Sequence, residues 1–82
     1  GLKMTKIIII ALMLTSNPLA ESDSYVFTEP YFDSVAECQM FVSVNIQPIL
    51  KHLFKHFDGK KVKNIYCIPE KQLNQFIENT RA

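Results

Sequence analysis

Glycine and cysteine are scarce in this sequence, and tryptophan is missing: the 82 residues hold two glycines, two cysteines and no tryptophan. Gly1 and Gly59 cannot build the glycine-rich loop that cradles a phosphate or a dinucleotide. Cys38 and Cys67 rule out a four-cysteine zinc site and a CxxC redox pair. An excess of one charge is also lacking. With a formal net charge of +1, the chain has little of the electrostatic footprint that nucleic-acid binding requires, and no nucleic-acid partner is expected. Finally, no apolar run is long enough to span a bilayer. The longest, residues 7–14, rises only ~12 Å as a helix against a hydrocarbon core of ~30 Å.

That run is nonetheless the most distinctive feature present. Lys6 precedes "IIIIALML", and Thr15, Ser16, Asn17, Pro18, Leu19 and Ala20 follow. A positive start, a short apolar segment, a breaker and a small residue are the order of a secretory signal. Cleavage is expected near Glu21 or Asp23, with Ala20 and Ser22 as the small residues of the site. The alternatives are a buried strand or an uncleaved anchor. Gly1, Leu2 and Lys3 precede the first methionine, Met4, and read as an appended scar or an upstream read-in. The division expected is therefore 1–22 as scar plus signal and 23–82 as one small domain, exported to the periplasm or the extracellular space.

About 60 residues fold only marginally on apolar burial alone. Export to an oxidising compartment permits a Cys38–Cys67 disulfide. Closing a loop of that length contributes ~3.5 kcal/mol in the chain-entropy model.

The expected fold class is a small α+β unit: strand, long helix, strand, short helix. "YVFTEPYF" at 25–32 is rich in aromatic and β-branched residues and reads as a strand, which Pro30 confines to an edge. Ser34 and Glu37 form a capping box, with Asp33 beside it at the positive end of the helix dipole. From Val35, a stripe of Cys38, Val42, Ile46, Ile49, Leu50, Leu53 and Phe57 keeps helical phase across Pro48. This predicts one kinked helix from 34 to about 57; the alternative is two helices broken at Gln47. Gly59 suits the left-handed position that ends it. "VKNIYCI" at 62–68 reads as the second strand, and Pro69 opens a short helix carrying Leu73, Phe76, Ile77 and Thr80. A Cys38–Cys67 bond joins the first helical turn to the end of the second strand, which predicts a parallel β-α-β crossover. Two parallel strands retain open edges. A partner strand is therefore expected from a second copy, a target or an N-terminal extension.

Candidate site residues fall into three groups. Cys38, Cys67, His52 and His56 suggest zinc, but Cys38 and His52 lie ~21 Å apart along one helix, too far for a single ion. His52 and His56 read as a solvated helix side, so no metal and no cofactor are expected. "KHLFKHFDGKKVK" makes a basic patch of Lys51, His52, Lys55, His56, Lys60, Lys61 and Lys63. It could face an anionic membrane surface or an acidic partner, or could simply balance an acidic first half. Residues 21–47 carry five acids and no lysine or arginine, whereas 48–82 carry seven lysines and arginines against three acids. Met40, Val44 and Phe54 lie off the main stripe, with Phe41 on the opposite flank. Either the C-terminal helix covers them or they form a contact patch. No nucleophile has a base near it, and Asp33 and Glu37 are explained by the helix start, so no catalysis is expected.

The segment "FDSVAEC…YCIPE" resembles small exported proteins of unknown function from marine bacteriophage genomes and related bacterial sequences. In these a signal peptide precedes a strand, a Ser-x-x-Glu-Cys helix start and a last strand ending in Cys-x-Pro. The resemblance implies export and the Cys38–Cys67 pair, and no activity. The function expected is a small exported protein-interaction module. The alternative is a membrane-associated accessory protein held by an uncleaved N-terminal segment and the lysine patch.

Overall fold

The structure, a computed structural model, describes residues 6–15 and 23–79. Its elements are β1 (Ile7–Met13), β2 (Ser24–Phe32), α1 (Val35–Val44), α2 (Ile46–His56), β3 (Val62–Pro69), a 3-10 turn (Glu70–Gln72) and α3 (Leu73–Asn79). The three strands form one sheet in the order β2-β1-β3, with both pairings antiparallel.

The run expected to be a signal is the central strand. All seven residues of β1 are buried, and they are seven of the ten buried hydrophobic residues described. An uninterrupted apolar run is what a strand covered on both faces requires, because odd and even side chains point to opposite sides. Ile7, Ile9, Ala11 and Met13 face the helices. The first two pack with Cys38, the last two with Ile49 and Leu53. Ile8, Ile10 and Leu12 point to the other face, where the pairing sets Ile10 between Val26 and Tyr66 and sets Ile8 beside Ile68. Tyr66 in turn meets Phe76 of α3 edge-on, with ring centroids 5.0 Å apart. The domain thus includes residues on both sides of the expected boundary at 23. Apart from Asp23, the expected cleavage region lies outside the described residues, as do Gly1–Lys3, Met4 and Thr80.

The crossover needs correction in one respect. β2 and β3 do run in the same direction, as the disulfide argument required, but they do not pair with each other. β1 lies between them, antiparallel to both. The missing partner strand is supplied by the chain's own N-terminal segment, and antiparallel pairing avoids the poorer geometry of a two-stranded parallel sheet. The Cys38–Cys67 disulfide is present, with Cα atoms 6.0 Å apart across a separation of 29 residues. Both β2 and β3 end beside Ile7, which brings the first turn of α1 to the last residues of β3.

The long helix also needs correction: it breaks at Asn45, between α1 and α2. Pro48 explains the position. In a continuous helix its ring would clash with the carbonyl of Val44, four residues back, and it has no N–H to donate. With the break at Asn45, Pro48 falls in the first turn of α2, where the N–H groups have no helical partner in any case. Asn45 closes α1, because both its backbone N–H and its side-chain Nδ2 donate to the carbonyl of Phe41, each at 2.9 Å. The two helices therefore need not share one apolar line. Val35, expected inside, is exposed. Phe41, expected off the stripe, packs into both core clusters.

The helix ends follow local rules. Glu37 N–H donates to Ser34 Oγ at 3.2 Å, the N-cap half of the expected box. We expect Ser34→Ala to lower unfolding free energy by about 1 kcal/mol, read as a lower urea midpoint at unchanged slope. At the far end Gly59 N–H donates to Phe54 O at 2.8 Å, the long bond of a Schellman close. The left-handed position after the cap is held by Asp58 (φ 59°), with Gly59 also left-handed at φ 90°.

Candidate interaction surface

The helical layer has an inner and an outer side. Inside, Cys38, Phe41 and Val42 of α1 and Ile49, Leu53 and the cap residue Phe57 of α2 meet the sheet. Outside, Met40 and Val44 on α1 and Phe54 on α2 stand 71%, 76% and 60% exposed. α3 does not fold over them, since Phe76 is engaged with Tyr66. α1 is thus apolar on both sides, whereas the outer side of α2 mixes Phe54 with the polar Gln47, Lys51 and Lys55. An apolar groove on α2 runs along Gln47, Pro48, Leu50, Lys51 and Phe54.

The seven residues expected to form a basic patch are all exposed, but they do not act alike. Lys60 reaches back to Asp23 Oδ2 at 2.7 Å, with both side chains about half exposed. An exposed pair of this kind adds at most ~1 kcal/mol. Among the described residues Lys51 and Lys55 form no ion pair, and neither does Glu37 at the start of α1.

His52 and His56 are exposed, as a solvated helix side requires, and they also belong to a ring cluster. His52 Nε2 lies 3.1 Å from the Tyr25 hydroxyl. The Tyr25 ring meets those of Phe27, His52, His56 and Phe57 at centroid distances of 4.8–6.2 Å. Sequence reasoning missed this cluster. Its signal was the two-residue step Tyr25–Phe27 beside the one-turn step His52–His56, and only the packing of α2 on β2 joins them. Edge-to-face ring contacts of this type are worth ~0.5–1.5 kcal/mol each, so both histidines have a structural role. Among the described residues no group of three His, Cys, Asp or Glu side chains is placed to hold a metal ion. No described helix is long and apolar enough to cross a membrane.

No protein-family model, curated protein or solved structure matches this chain. A functional reading therefore has to come from the surface itself.

Proposed function

We propose that this chain is a small, non-catalytic protein-interaction module of the periplasmic or extracellular space, whose contact surface is the outer side of α1 and α2. The observation that carries the reading is the exposure of Met40, Val44 and Phe54. Three large apolar side chains on elements whose inner sides already supply the core add nothing to folding, and exposed apolar side chains on one layer are the usual material of contact surfaces. The disulfide agrees with an oxidising compartment. The functional form we propose keeps residues 7–13, because the sheet is built on them.

The lysine-rich stretch also suits an anionic membrane surface. We rank that reading second for two reasons. In this fold Ile7–Met13 lie inside the sheet, so they offer a bilayer no anchor. Glu37, moreover, is exposed as the lysines are, and an anionic surface would repel it.

Met40→Ser/Val44→Ser/Phe54→Ser tests the proposal. The triple variant should keep its far-UV circular dichroism and lie within about 1 kcal/mol of the parent in stability, since surface changes away from special features are small. It should also lose binding in a quantitative pull-down that the parent passes. Equal binding by parent and variant would exclude this surface. The intact mass of the exported product tests the rest: residues 7–13 present, and two hydrogens fewer than after reduction.

A further inference from the structure

We infer that the partner of this surface is a second copy of the chain, packed with its α1–α2 layer reversed so that α1 of each copy lies on α2 of the other. The inference rests on the interaction reading above and gives it a partner.

Three observations converge on it. The first is spacing. Glu37, Met40, Val44, Gln47, Lys51 and Phe54 follow one another in steps of three and four, and all six are exposed. Within each helix such steps share one side, Glu37, Met40 and Val44 on α1 and Gln47, Lys51 and Phe54 on α2, and the seam we infer joins the two across the break at Asn45. The second is the order of chemistry along that seam. It starts acidic (Glu37), becomes apolar (Met40, Val44) and ends basic with an apolar knob (Lys51, Phe54, with Lys55 adjacent). End-for-end reversal sets the acidic start of each copy against the basic end of the other, and sets Met40 and Val44 over the apolar groove along Gln47, Pro48, Leu50, Lys51 and Phe54. A two-fold contact requires a surface that complements itself in this way. The third is the state of the charges. Glu37, Lys51 and Lys55 make no ion pair among the described residues. Glu37 lies in the first turn of α1 and Lys55 in the last turn of α2, on two different helices. They do not pair with each other inside one molecule, but they can across a reversed pair.

Charge exchange tests the pairing. Parent protein in analytical ultracentrifugation should show a concentration-dependent monomer–dimer equilibrium that weakens from 0.05 to 0.5 M salt. Glu37→Lys alone, and Lys51→Glu/Lys55→Glu alone, should each weaken it at least ~tenfold, because each places like charges opposite one another. An equimolar mixture of the two variants should restore it, since both contacts in the mixed dimer are again attractive. A parent that stays monomeric at ~1 mM, or variants that dimerise as the parent does, would overturn self-pairing. A photocrosslinking residue at position 40 separates the two levels. An adduct between copies supports self-pairing. An adduct to a different protein overturns it while leaving the interaction reading intact. Adducts to lipid alone, or none, overturn both.

Discussion

Removing residues 1–22 should abolish cooperative folding: the shortened chain, with its disulfide oxidised, is expected to give no sigmoidal urea transition, whereas the full chain should give one. The reason is the position of β1. Four isoleucines, a leucine and a methionine leave the core, each at most 6% exposed in the intact chain. At about 1.5–3 kcal/mol for each buried side chain, the loss is roughly 10–20 kcal/mol, at least as large as the 5–15 kcal/mol by which whole domains are stable. β2 and β3 also lose every hydrogen bond between strands, because each pairs only with β1. What remains on the helical side is Cys38, Ile49 and Leu53, too little for a domain of this size. Ile10→Asp in the full chain is the companion variant. Ile10 is fully buried, so an unpaired carboxylate there should also unfold the domain or reduce its stability by several kcal/mol. A cooperative transition for the shortened chain close to that of the full chain would show that β1 is dispensable and would return the segment to the role of a cleaved signal.

Reducing the Cys38–Cys67 bond should lower unfolding free energy by about 3.5 kcal/mol, the chain-entropy value for a closed loop of this length. For a domain of this size a change of that order moves the thermal midpoint by tens of degrees. Cys38→Ala/Cys67→Ala removes the bond without leaving a thiol to reoxidise, and should match the reduced parent. The bond joins the first turn of α1 to the late part of β3, beside Ile7 and Ile9. Its loss should therefore loosen α1 first, seen as faster amide exchange in Val35–Val44 than in β1. Equal midpoints with and without reductant would show that the β1 core alone holds the fold together.

Local chemistry was legible in the sequence wherever neighbours along the chain decide the outcome. Ser34 and Glu37 cap a helix because they are three residues apart. β2 and β3 were visible in the aromatic and β-branched residues of 25–32 and 62–68. Pro48 read as a kink in one helix, with a break at Gln47 only as the alternative; its steric demand falls one turn earlier, and so the chain breaks at Asn45. The exposure of Met40, Val44 and Phe54 was one of two outcomes left open by the sequence, and the position of α3 beside Tyr66 settles it. The ring cluster around Tyr25 was not legible, because it joins residues 27 and 31 positions apart.

By itself, the sequence determined β2, β3 and the short C-terminal helix, the start and cap of α1, the turn at Asp58–Gly59 and the only available pairing of cysteines. Each of these depends on residue type and short spacing. Tertiary structure alone decided that Ile7–Met13 is a strand, that it separates β2 from β3, and which side of α1 faces outward. An apolar run of seven residues satisfies a signal, a membrane surface or a sheet interior equally well, since each only requires exclusion from water. The choice is made by whatever removes that run from water, and here it is two strands that begin 11 and 49 residues after β1 ends.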